Sequence, residues 1–397
     1  METTSAENTI DYGWFRTHLL DDILPRWLSS SVTDNGLFIP HLGRRWNRLE
    51  KEYGTTVSQT RLLYNFSKGY ELTGDEAYLK AVELGAGFLL ERFWDAENGG
   101  WFHACNTDGE VLDPNKFSYG HTFVLFGFCH AFRVSGNRAF KNAALDTWEI
   151  LSKHFIDRYG GLKAAMTHDF KERTEPNSQN PIMHLFEAIL AFGALDGMGY
   201  MFREAEKIAD FVLSKLVRQD DHILPEIYTS DWMEEQVEKG RRIYIGHAFE
   251  WAFLLSEAVE IGLPETYLDQ AARFIDYGLQ IGFDSEEGGI YSPASPEGIA
   301  TDHKGWWEQC EATRALMRFA VGHNREDLWL PLGETIDFIQ QNFVDPEHRG
   351  WFMSAGDGGT GHWQNKGNEY KVDYHVVGMC MEAIRLEHLH ADRSANY

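Results

Sequence analysis

The stretch NGGWFHA, residues 98–104, sets two glycines against a large aromatic in the manner of a tight hairpin. The pattern recurs as DNGLFIP at Gly36, YGGLKAA at Gly161, EGGIYSP at Gly289 and HRGWFMS at Gly350, while DHILPEI at Leu224 fills the remaining gap without a glycine. The intervals are 64, 61, 63, 65 and 61 residues, so six units of about 65 account for the 397-residue chain. Each hairpin follows a helical segment of mixed polarity, such as REAEKIADFVLSKLV. Irregular polar sequence comes next, then a more apolar helix such as MHLFEAILAFGALDG. The first kind reads as an outer helix with one wet face, the second as an inner helix touching neighbours on nearly all sides. An open array would need polar capping units, and neither end of the chain shows one. The expected fold is therefore all-α: a closed (α/α)6 barrel of twelve helices with short β-hairpins in its loops. No Pro/Ser-rich linker marks a boundary, so residues 1–397 read as a single catalytic domain.

With 36 Lys+Arg and 61 Asp+Glu the formal charge is −25. That balance argues against nucleic acid and anionic membrane as partners, since both select basic surfaces. The four cysteines, Cys105, Cys129, Cys310 and Cys380, show no CxxC spacing and read as buried thiols of a reducing cytoplasm. The opening METTSAENTIDYGW lacks a signal pattern, and no apolar run reaches the roughly 18 residues a membrane span needs. The expected location is cytoplasmic. A homo-oligomer is left open.

Aligning the starts of the six inner helices places Arg61, His121, His184, His247, Glu311 and His375 in register, at intervals of 60, 63, 63, 64 and 64. In a closed ring, equivalent positions share one height, so these groups should converge at one mouth. A three-residue step pairs His184 with Glu187, His247 with Glu250 and Glu308 with Glu311, and residues three apart share a helix face. A carboxylate beside an imidazole fixes its tautomer and raises its basicity, which suits a general base. Trp306, Trp307, Trp251, Trp363, Tyr119 and Phe117 are expected near the same mouth. Aromatic faces beside charged groups suit a monosaccharide, with its apolar ring faces and polar edges.

HxxE supplies two metal-ligand types, but the zinc spacing HExxH is missing, so no metal is expected. GDGGTGHW, residues 356–363, lacks the lysine and context of a phosphate loop and reads as a mobile loop over the pocket. No cofactor is expected. Paired carboxylates for inverting glycoside hydrolysis are the rival chemistry, with Glu250, Glu308 and Glu311 as candidates. Such a pair does not call for four histidines. Imidazoles match proton transfer at carbon beside a carbonyl, through an enediol, with Arg61 stabilising the developing oxyanion. A sugar-binding or scaffolding barrel without catalysis is the alternative from another class.

The motifs QTRLLYNF, NPIMHLFEA, GHAFEWAFLL, KGWWEQCEA and DYHVVG, spread over nearly the whole chain, resemble the N-acylglucosamine 2-epimerase family. The resemblance implies an (α/α)6 barrel and a metal-independent cytoplasmic enzyme acting on free sugars. It implies that His247 and His375 are the general acid/base pair and that His184 binds the sugar and helps ring opening. It implies substrate contacts at Arg61, Tyr119, Asn180, Glu250, Trp307 and Glu311; His121 joins them from the register alone. NPIMHLFEA looks most like the mannose isomerase branch, with Ile182 where cellobiose epimerases tend to carry a second histidine. Arg241 or Arg242 leaves a sulfoquinovose-type isomerase open. The expected reaction is interconversion of D-mannose and D-fructose, with 2-epimerisation as the alternative.

Overall fold

In the computed structural model, residues 9–235, 242–295, 298–355 and 361–395 are described. Six helical hairpins follow one another. The first pairs α1 (Tyr12–Thr17) and α2 (Leu24–Ser31), joined by a π-helical stretch, with α3 (Thr56–Thr73). The next are α4 (Glu76–Phe88) with α5 (Ser118–Ser135), and α6 (Arg138–Ile150) with α7 (Gln179–Gly193). Then come α8 (Phe202–Phe211) with α9 (Ile245–Glu260), α10 (Tyr267–Gly282) with α11 (Trp306–Met317), and α12 (Trp329–Asn342) with α13 (Tyr374–Ala395). The odd-numbered helices from α3 to α13 pack as an inner ring that closes on itself, with α13 against both α11 and α3. This is the (α/α)6 barrel expected from the repeat.

The ring is fastened where its ends meet. Trp27 donates its indole N–H to Asp373 at 2.8 Å, Asn65 donates to the Val372 carbonyl at 2.7 Å, and Arg44 bonds Asp345 at 2.9 Å. Inner helices are buried almost throughout: every α9 residue from Ile245 to Ser256 is buried, which explains a sequence apolar on nearly every side. The four cysteines are free and buried. No helix among the described residues is long and apolar enough to cross a membrane.

Three of the glycine hairpins share one geometry, and those at Gly36 and Gly161 close one residue sooner. Asp95 N–H bonds the Gly100 carbonyl at 2.9 Å while Gly99 N–H bonds the Asp95 carbonyl at 2.8 Å; Asp284 with Gly289 and Gly288, and Asp345 with Gly350 and Arg349, repeat it. In the unit lacking glycine, Arg218 and Ile223 take these places, and His222 adopts the left-handed φ of 60° itself. The loop strands do more than form local hairpins. Tyr53–Thr55 pairs with Ala104–Asn106, Lys116–Phe117 with Ala165–Met166, and Asn177–Ser178 with Ile227–Tyr228, each joining one unit to the next. A belt of short strands thus rims the mouth at which the inner helices begin.

Three of the hairpins carry a buried ion pair that the sequence reading did not anticipate. Lys116 meets Asp95 at 2.9 Å, Lys304 meets Asp284 at 2.6 Å and Lys366 meets Asp345 at 2.8 Å. Lys116 and Lys304 lie just before α5 and α11, and Lys366 lies in the segment that leads into α13, so each pair ties a hairpin to the approach of the next inner helix. Burial alone would raise the three aspartates; hydrogen bonds from the lysines, from Arg44 to Asp345, from Tyr291 to Asp284 and from backbone amides more than reverse it, and all three sit below the usual carboxylate range. Their stabilisation is complete above about pH 4 and is lost as pH falls through the lowered folded-state values. Removing one partner strands the other in the interior. Lys116→Met is expected to cost about 3–5 kcal/mol in chemical denaturation at neutral pH, with part of the loss recovered when Asp95 is made leucine as well.

Candidate active site

A cavity of about 450 Å³ opens at the mouth rimmed by the strand belt, within the size range of small-molecule sites. His184, His247 and His375, from α7, α9 and α13, all line it. Each imidazole is held from behind through Nδ1. His184 Nδ1 lies 3.0 Å from Glu187 Oε2, His247 Nδ1 lies 2.8 Å from Glu226 Oε2, and His375 Nδ1 lies 2.7 Å from Glu311 Oε1. A carboxylate only accepts when ionised, and in that form each contact assigns the proton to Nδ1 and leaves Nε2 as the basic nitrogen. Gln179 Nε2 also approaches His247 Nδ1, at 2.9 Å. Its amide orientation is set by Trp251, whose indole N–H bonds Gln179 Oε1 at 2.8 Å, and its NH2 also reaches Glu226 at 3.0 Å.

The pairing departs from the expected three-residue steps. His184 and Glu187 do pair. His247 pairs instead with Glu226, a residue the sequence reading missed, because Glu226 lies just before the loop strand of its own unit and not on α9. Its one visible signal was its place in DHILPEI, the hairpin that breaks the glycine pattern. Glu250 turns across the ring and lies 4.0 Å from His184 Nδ1, with neither carboxyl oxygen hydrogen-bonded. Burial first, then the nearby Glu311 and Glu187, push the Glu250 carboxyl well above its ordinary value.

Arg61, Tyr119, Asn180, Glu250 and Trp307 all line the cavity as expected. The Arg61 guanidinium donates to the Tyr370 carbonyl and the Tyr119 hydroxyl, both at 2.8 Å, and lies 4.3 Å from the Phe123 ring centre. Trp307 sits between two imidazoles, with ring centres 4.9 Å from His247 and 5.8 Å from His375. Trp306 and Trp363 also line the wall, whereas Trp251 is fully buried beneath it and Phe117 packs on His103. Gly361–Gln364 forms a 3-10 turn carrying Trp363, and residues 356–360 of the expected mobile loop lie outside the described residues. So does Arg241; Arg242 is not among the lining residues.

Two residues of the register do not face the cavity. Glu311 lies beneath it, fully buried, as the partner of His375, so its geometry is that of an orienting group and not a sugar contact. His121 is turned into the wall. It donates from Nδ1 to the Phe117 carbonyl at 2.8 Å, and its Nε2 accepts the Trp101 amide at 3.1 Å. Gln59 and Gln309 do the same for the backbone of Phe38 and Ile290, the equivalent hairpin positions. His121 therefore occupies their slot, two residues out of register, and the position matching Arg61 is Phe123. The short interval of 60 residues was the sign.

Burial lowers His184 despite its bond to Glu187, and burial with the neighbouring Arg61 holds His375 well below the ordinary imidazole value. Burial raises Glu308 to about 8 and Glu311 to about 7. Two donor sets among the described residues are tight enough for a metal ion: His184, Glu187 and Glu250; and Glu250, Glu311 and His375. In each set the histidine nitrogen nearest the carboxylates already donates a hydrogen bond, so a metal would displace that proton. The arrangement as it stands suits moving protons on a small polar molecule from more than one side. Glu226→Gln is expected to lower kcat by about ten- to hundred-fold with little change in KM, as loss of an orienting partner does; steady-state kinetics check it.

The sequence profile described as N-acylglucosamine 2-epimerase (GlcNAc 2-epimerase) matches residues 38–379. A D-mannose isomerase of Marinomonas mediterranea is 25% identical over 342 residues, covering 83% of this chain and 86% of its own. A cellobiose 2-epimerase of Bacteroides fragilis is 24% identical over 387 residues, covering 91% and 95%. A crystal structure of a D-mannose isomerase superposes with a TM-score of 0.88 at 21% identity, over 96% of this chain and 99% of that one.

Proposed function

The chain belongs to the N-acylglucosamine 2-epimerase family, and on that premise we propose that it is a cytoplasmic sugar isomerase interconverting D-mannose and D-fructose. The whole chain is taken as one catalytic unit. The observation that carries this reading is the set of three imidazoles, each tied through Nδ1 to its own carboxylate, around one cavity. His184 helps open the pyranose. His375 Nε2 removes the C2 proton of the aldehyde form, and Arg61 stabilises the enediol oxygen as charge develops. Return of the proton to C1 gives the ketose. Return to the opposite face of C2, from His247, gives the 2-epimer. Asn180, Tyr119, Glu250 and Trp307 hold the hydroxyls and the apolar face of the sugar. The relatives named for isomerisation and for 2-epimerisation are similar to the chain to the same degree, and Ile182 in NPIMHLFEA favours the isomerase branch.

Inverting hydrolysis fits less well. It needs a carboxylate that is ionised at neutral pH beside the cavity. Glu250 and Glu308 face the cavity, but burial pushes the first well above its ordinary value and the second to about 8. Glu226 is committed to His247, Ser178 and Gln179.

Mannose incubated with the enzyme in D2O, followed by NMR, should give fructose as the first product, at an unchanged rate with EDTA present. Glucose as sole early product would establish epimerisation instead, and loss of turnover with EDTA would restore a metal mechanism. The pH profile offers a separate check. Because His375 is lowered, its base form persists in mild acid, so the acidic limb of kcat/KM should have its midpoint below pH 6.5. A midpoint above that value would mean that another group is the base.

A further inference from the structure

A second cavity, of about 350 Å³, opens at the opposite end of the barrel between the C-terminal halves of the inner helices. Much of its wall is hydrocarbon, from Tyr64, Phe126, Leu190, Phe253, Ile261 and Met381. Four basic side chains, Lys68, Arg133, Arg314 and Arg385, stand with three acidic ones, Glu187, Glu257 and Glu382; burial pushes the Glu257 carboxyl up and the Lys68 amine down, each towards its neutral form, while Arg385 is paired with Glu382. Two side chains in the wall are buried with polar atoms unmatched. His130 is 5% exposed with neither ring nitrogen hydrogen-bonded, and Arg314 is 9% exposed with Nε–H unmatched. Buried donors left without acceptors are costly unless something supplies them.

This cavity stands back to back with the first. Glu187, which holds His184, is part of its wall. Arg314 lies over the Phe253 ring at 3.6 Å and reaches Glu311 Oε2 at 3.6 Å, while the other oxygen of Glu311 holds His375. The layer between the two cavities is thus built from Glu187, Glu311 and Arg314, the groups that set the rear of the histidines.

We propose that the far cavity binds a small organic carboxylate with an apolar body, and that its occupancy slows sugar turnover through Arg314 and Glu311. The coupling rests on the sugar-isomerase reading; the binding site does not. A carboxylate accepts from Arg314 Nε–H and from His130, and its carbon body lies against Phe126 and Phe253. Drawn to the ligand, the guanidinium neutralises Glu311 less. Burial then drives Glu311 further toward its protonated form, and His375 loses the acceptor that makes Nε2 basic. The effect falls on kcat and leaves the sugar's KM unchanged.

Calorimetric titration with benzoate tests the site, with inorganic phosphate as the comparison anion. Benzoate should bind saturably and at least tenfold more tightly than phosphate, and should lower kcat at least threefold. Ala191→Phe, which fills the cavity from α7, should abolish both effects and leave basal turnover unchanged. His130→Leu should weaken benzoate at least tenfold, and serves if the first variant does not fold. Absence of saturable benzoate binding, equal binding of phosphate, or binding that survives His130→Leu would overturn the site. Saturable binding with kcat unchanged would overturn the coupling. Binding is read without turnover, so a chain that binds benzoate yet transforms no sugar defeats the functional reading and leaves the site standing.

Discussion

The hydrogen bonds from Trp27 to Asp373 and from Asn65 to the Val372 carbonyl join residues 346 and 307 positions apart. They fasten the first hairpin to the last, and the site follows from that closure. In an open array the histidines of α7, α9 and α13 would lie along a groove. In a ring they face one another across a space the size of a small molecule. Closure also removes the exposed helix faces an open array would have to cap, which is why neither end of the chain reads as a cap. The buried Lys–Asp pairs and the belt of cross-unit strands then hold the helix starts at one level, so that side chains from separate units meet with hydrogen-bond accuracy.

Two kinds of polar residue were placed in this interior, and physical chemistry separates them. Some are satisfied within the wall: His121, Gln59 and Gln309 each close a hairpin by pairing with its backbone. Others are satisfied on one side only. His184, His247 and His375 spend Nδ1 on a carboxylate and keep Nε2 for the cavity, and Glu250 and Asn180 keep oxygens with no protein partner. Groups of the second kind are the ones a sugar would complete. Family membership narrows the chemistry to sugar isomerisation or epimerisation, and the proposed mechanism draws its bases from the tied imidazoles.

The repeat was legible because each unit must make the same turn at the same place, and glycine is the usual way to make it. That carried the reading to six hairpins, to a ring, and to the histidines on α7, α9 and α13. Helical spacing alone could not tell which carboxylate serves which imidazole. His247 and Glu250 share a helix face, yet the partner of His247 is Glu226, brought in by a loop more than twenty residues upstream. Nor could counting from turn to turn resolve a shift of two residues, which put His121 in the ring register in place of Phe123. The lysine–aspartate pairs escaped notice because a buried charge is legible only once its partner's position is known.

Nitrogen-15 NMR of the histidine rings, titrated with mannose, tests the central claim most directly. The account predicts that His184, His247 and His375 are all Nδ1–H tautomers with bare Nε2 nitrogens, and that those three resonances shift together as sugar binds while His121 stays unchanged. A proton on Nε2 in the free protein, or sugar-induced shifts confined to one ring or appearing at His121, would contradict it.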